Sequence, residues 1–99
     1  MSPREGFGFR ARLADGLEPA AAHGLHAAFA ALVAARGLEA SGAFGWEADR
    51  GCVVSRARRA VREADRRAVA AWAASRAELA EYRVGPVVAL GPPLTRAAP

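Results

Sequence analysis

The chain opens on alternation. In GFGFRARL, Phe7, Phe9, Ala11 and Leu13 fall on one side of an extended backbone, and Gly8, Arg10 and Arg12 on the other. That pattern predicts a half-buried strand. Asp15-Gly16 then supplies a turn. The period changes from two to three and four in LEPAAAHGLHAAFAALVAARG. Ala22, Leu25, Phe29, Leu32, Val33 and Arg36 make one helical stripe. Pro19 suits the first helical position, where its missing N–H does no harm. Gly37 suits the left-handed position after the helix, and Leu38 is placed to fold back on the last turn. Gly24 weakens the helix middle and leaves room for close packing on a sheet.

LEASGAFGWEADRGCVVSR predicts a hairpin, with Phe44 and Trp46 in its first strand and Cys52 to Val54 in its second. Asp49-Arg50-Gly51 forms the turn between them. Gly42 and Gly45 mark a bulge or a close approach by another backbone. AVREADRRAVAAWAASRAELA predicts a second helix with Val61, Ala64 or Asp65, Ala68, Val69, Trp72 and Ala73 inward and Arg62, Arg66 and Arg67 toward water. EYRVGPVVAL predicts a last strand, which Gly85-Pro86 interrupts and so assigns to an edge or a bulge.

The element order is β-α-β-β-α-β. It predicts an α+β, ferredoxin-like split βαβ fold: a four-stranded antiparallel sheet with two helices on one face. Residues 1–90 form one domain in this reading, and residues 91–99 a flexible tail. The large apolar residues, Phe7, Phe9, Leu25, Phe29, Phe44, Trp46, Val53, Val69, Trp72, Tyr82, Val88 and Leu90 among them, are expected to build the core. The sheet face opposite the helices is left to water or to a partner.

Composition adds three things. The chain carries 14 Lys+Arg against 10 Asp+Glu over 99 residues. The segment SRARRAVREADRR, Ser55 to Arg67, holds six arginines and two acids, so it contains the whole net charge of +4. Its arginines, Arg56, Arg58, Arg59, Arg62, Arg66 and Arg67, are the candidate RNA contacts, because clustered arginines neutralise phosphates without reading sequence. Second, there is no lysine, isoleucine, asparagine or glutamine, which is the mark of GC-rich coding. The same arginines therefore also read as the wet side of an ordinary helix. Third, the one cysteine, Cys52, lies in an apolar run and is expected to be a buried, inert thiol.

Catalytic constellations are hard to find, and the chain is read as not an enzyme. His23 and His26 are three apart on the first helix with no third ligand nearby, so they are expected on a solvated face, with no metal and no cofactor. Ser41, Ser55, Ser75, Thr95 and Cys52 have no evident base, and Glu47 and Asp49 sit at a hairpin tip as solubility charges. GFGF overlaps part of an RNA-recognition signature, but Glu5 stands where the basic residue belongs and the run falls in the wrong strand. Its phenylalanines are expected in the core. No apolar run is long enough to cross a membrane, and MSPREGFGF lacks the apolar centre of a signal peptide, so a cytoplasmic location is expected.

The order of motifs resembles a known family. GFGFRARLADGL, a helix ending LVAARGLEASGAFGW, then READRRAVAAWAAS and YRVGPVVAL are similar to the YggL family, small bacterial proteins named for a member that binds the large (50S) ribosomal subunit. Gly6-Phe7, Gly37-Leu38, Asp65, Val69, Trp72 and Gly85-Pro86-Val87-Val88 match its pattern across Gly6 to Leu90. Ala89 and Gly91 stand where the family has Asp and Trp, and Arg58, Arg59 and Arg62 where it has small polar and acidic residues. The resemblance implies ribosome association and no reaction.

Two functions follow as expectations. One is a non-enzymatic, ribosome-associated accessory protein, with the arginine segment toward rRNA. The other is a homodimeric interaction module joined through the open sheet face, with no nucleic-acid partner. A third, small-molecule binding in a sheet-face cleft, needs a polar group aimed into a pocket.

Overall fold

A computed structural model describes residues 5–47, 50–56 and 60–90. The order is β1 (Glu5–Leu13), α1 (Pro19–Ala35), β2 (Glu39–Gly42), β3 (Gly51–Ser55), α2 (Glu63–Ala74), β4 (Leu79–Val84) and β5 (Val88–Ala89). The sheet runs β2-β3-β1-β4 with every ladder antiparallel, and β5 also pairs with β1. This is the expected α+β, ferredoxin-like arrangement. The fifth strand arises because Gly85 to Val87 cut the last strand in two. Both pieces stay on the same partner: β4 pairs with Phe9–Leu13 and β5 with Glu5–Gly6. The proposed boundary at residue 90 and the tail at 91–99 lie outside the described residues.

β1 is the spine of the sheet, and its alternation decides the layers. Phe7, Phe9, Ala11 and Leu13 are buried on the helix side, while Gly8 and Arg10 are exposed on the other. Opposite them, Val54 and Cys52 of β3 also turn inward. Ala22, Leu25, Phe29 and Val33 of α1 and Val69 and Ala73 of α2 complete the core. Phe9 is its centre, stacked on Phe29 at 5.2 Å and edge-on to Phe44 at 5.5 Å and to Trp72 at 6.3 Å. Burying such a ring is worth about 2–3 kcal/mol relative to leaving it exposed.

α1 begins and ends as its sequence predicts. Pro19 is its first residue. At its end Gly37 takes φ +69°, the Leu38 N–H donates to Val33 O at 2.9 Å, and the Gly37 N–H donates to Ala34 O at 3.0 Å. This paired closure satisfies carbonyls that the last turn would otherwise leave bare, and it buries Leu38. Gly24 differs from expectation: it is exposed, and a Cβ there would touch nothing, so it has no role in packing on the sheet.

The hairpin also differs. β2 ends at Gly42, whose φ is +107° and whose Cβ position lies 2.6 Å from Gly51 O. Only glycine fits there. The turned chain leaves the sheet, inserts Phe44 into the core, and returns beside the end of β1, where the Leu13 N–H donates to Gly45 O at 2.8 Å. Phe44 and Trp46 are therefore in a loop rather than a strand. Trp46 is exposed, with its indole N–H donated to Ala14 O at 3.2 Å. Asp49 of the expected turn lies outside the described residues. Val53, Tyr82, Val88 and Leu90, expected in the core, are also exposed. Val53 points to the open face, and Tyr82 and Val88 lie on β4 and β5, where no element among the described residues covers them.

Candidate nucleic-acid interface

The Ser55–Arg67 segment does not bring its described arginines into a single basic surface. Its centre is an acid. Asp65 is 1% exposed and sits in the first turn of α2. Its Oδ1 accepts from Arg36 Nε at 3.0 Å, and its Oδ2 accepts from the Arg62 N–H at 2.9 Å. Arg56 Nη2 approaches the same carboxylate at 3.7 Å. Arg36 follows the end of α1, Arg56 follows β3, and Arg62 caps α2. One carboxylate therefore ties three elements together. Burial raises its pKa, but the Arg62 N–H, the Arg36 hydrogen bond and the Arg56 and Arg36 charges outweigh that effect. The net result lies below the ordinary 3.8, so the group stays ionised. Arg62 itself has no acceptor to offer the helix N–H groups, so the cap rests on Asp65.

The arginines divide by what they touch. Arg56 donates to Arg36 O at 2.9 Å and is largely buried. Arg66 donates through Nε to Gly85 O at 2.8 Å and through Nη2 to Val84 O at 3.3 Å, with Glu63 at 3.1 Å on its third nitrogen. It takes up the carbonyls at the break between β4 and β5. Arg66 was expected to face water, and it is turned back onto the sheet instead because those carbonyls need donors. Arg62 and Arg67 are exposed, Arg67 at 78% with only a 3.5 Å approach to Glu63. Arg58 and Arg59 lie outside the described residues.

Two further arginines were not singled out by sequence. Arg10 and Arg83 are exposed on the open face and directly opposite each other across β1 and β4. The alternation of β1 does place Arg10 outward. Its pairing with Arg83 depends on strand register, which carries no local signal.

The other candidates stay quiet. His23 is exposed, as expected, but His26 is not on a solvated face. Its ring lies 4.8 Å from that of Phe44, and its Nε2–H donates to Phe44 O at 2.8 Å. The loop carbonyl needed a donor, and the helix histidine supplies it. Cys52 is buried, and burial pushes its thiol up to about 11. Among the described residues no group of three metal-ligating side chains occurs, and no helix is long and apolar enough to cross a membrane. An apolar cleft of about 340 Å³ lies between α1 and β2, lined by Phe29, Val33, Leu38, Phe44 and Cys52, with His26 at its rim.

No curated protein and no solved structure matches the chain. A family model does. It covers residues 4–90, the whole of the described fold from β1 to the end of β5, including buried Asp65, the Gly37-Leu38 closure and the Gly85 break, and on that match the chain belongs to the YggL 50S ribosome-binding protein family.

Proposed function

We propose that this chain is a non-enzymatic accessory protein of the large ribosomal subunit, working in the cytoplasm and meeting rRNA phosphates through exposed arginines of α2. The observation that carries the reading is the extent of the family match, residues 4–90. The property named in that family is then to be sought on the surface of this fold rather than on an added segment. Arg62 and Arg67 are the described candidates for phosphate contact, with Arg58 and Arg59 beside them in sequence. Arg56 and Arg66 hold the scaffold under them. Such contacts give binding that weakens steeply with salt. The reading needs no reaction, metal or cofactor.

Co-sedimentation with purified subunits across a salt series tests it. Enrichment with the large subunit that falls as salt rises, and falls further in Arg62→Glu/Arg67→Glu, is expected. No enrichment at low salt overturns it.

A second reading is a homodimer joined through the open sheet face, favoured by exposed Val53 and Val88 on that face. Sedimentation equilibrium at micromolar concentration decides it, since a monomer removes this reading.

A further inference from the structure

The face of the sheet away from the helices has a charge pattern that folding does not require. Arg10 and Arg83 are register partners across β1 and β4. Like charges directly opposite each other in a ladder oppose folding. Two residues along β1, Arg12 faces Glu81 and the pair closes at 3.0 Å. Arg10 and Arg83 have no such acid. Neither guanidinium makes an ion pair or hydrogen bond among the described residues.

The floor beside them is low. Register places Gly51 opposite Arg10, Val53 opposite Gly8, and Ser41 opposite Val53. A cleft of about 300 Å³ runs over these residues. Gly51 is dictated by the fold, since a Cβ there would lie 2.4 Å from Phe9 O. Gly8 is not. Its backbone is not in the left-handed region, and a Cβ would meet nothing within 4 Å. Glycine in a strand interior costs stability, so a glycine that packing does not need marks a surface left open for another backbone to approach.

The chemistry of the occupant follows. Two cations without a partner among the described residues, Arg10 in the lining of the cleft and Arg83 beside it on β4, complement a chain of negative charge over an uncharged floor of Gly8, Gly51, Ser41 and Val53. The β1 phenylalanines point the other way, and Tyr82 pairs with Ala11 on the helix side, so among the described residues the face has no platform for stacking bases. That combination suits a sugar-phosphate backbone read without its bases. We infer that the open sheet face is a second RNA contact, in which Arg10 and Arg83 take neighbouring phosphates of an rRNA strand lying over Gly8 and Gly51. The inference rests on the large-subunit reading and gives it a surface distinct from α2.

The test measures binding of the full chain to purified large subunits and, separately, to protein-free rRNA extracted from them, across a salt series. Arg10→Glu/Arg83→Glu is expected to weaken both by at least tenfold at moderate salt and to flatten the log–log salt slope by about 2, one unit per lost phosphate. Gly8→Leu, which adds bulk to the floor without changing charge, is expected to weaken both severalfold with the thermal midpoint preserved. Its readout stands even if the double reversal fails to fold. Unchanged binding by a folded Gly8→Leu overturns the inference. So does a double reversal that loses the intact subunit but keeps free rRNA, which would identify an acidic protein as the partner. Loss of binding in Arg62→Glu/Arg67→Glu alone overturns this surface and leaves the proposed function standing. A wild-type chain that binds neither probe removes both.

Discussion

Arg36 Nε and Asp65 Oδ1 lie 3.0 Å apart, joining the end of α1 to the start of α2 across 29 positions of sequence. The carboxylate is buried, and it also receives the Arg62 N–H and the Arg56 charge. Removing it leaves Arg36 and the Arg62 N–H without their acceptor and Arg56 without its counter-charge. Asp65→Ala is expected to lose about 2–4 kcal/mol in urea unfolding at neutral pH. Asp65→Asn, which keeps an acceptor oxygen, should lose less. A loss under about 0.5 kcal/mol in the alanine variant would contradict the role given to this carboxylate.

The same group sets a pH dependence. Its folded pKa lies below the ordinary 3.8, so its contribution is fully present above that value and is lost as pH falls through the lower folded one. The gap in urea midpoint between wild type and Asp65→Asn should therefore be constant from neutral pH down to about 4 and narrow as pH falls further. A gap that does not narrow at all on acidification would assign the difference to packing instead.

Arg66 and Arg67 are neighbours in sequence with opposite fates. Arg66 donates to Gly85 O and Val84 O, whereas Arg67 only approaches Glu63. Arg66→Ala should cost about 1–2 kcal/mol and speed hydrogen exchange around β4 and β5. Arg67→Ala should stay within about 0.5 kcal/mol of wild type and lower affinity for the large subunit. The reverse order would exchange their roles.

Cys52 should be silent toward thiol reagents in the folded state. Its side chain is buried and its pKa is pushed up to about 11, so both access and thiolate fraction are low near neutral pH. Labelling with a chromogenic disulfide at pH 8 should proceed at the rate of unfolding and become fast in denaturant. Immediate stoichiometric labelling without denaturant would show the core open at β3.

What the sequence made legible was local. The alternation from Phe7 to Leu13, the Pro19 start and the Gly37-Leu38 closure each carry their geometry within a few residues, and the fold topology follows from their order. Phe44 and Trp46 alternate as strand residues do, but the left-handed Gly42 before them redirects the chain into a loop. The candidate site was least legible. Arg56 and Arg66 find their acceptors 20 and 19 residues away, on carbonyls exposed by a helix end and a strand break. Nothing in the run of arginines distinguishes those two from Arg62 and Arg67. The place of His26 is hidden for the same reason, its acceptor being a loop carbonyl 18 residues on. The Arg10–Arg83 pair likewise depends on register between the first and fourth strands.

The most direct measurement is sedimentation of the purified chain through sucrose with separated large and small subunits at low and at high salt. The protein is expected to travel with the large subunit at low salt, to be released at high salt, and to stay at the top of the gradient with the small subunit. Equal recovery with both subunits, or none with the large one at low salt, would contradict it.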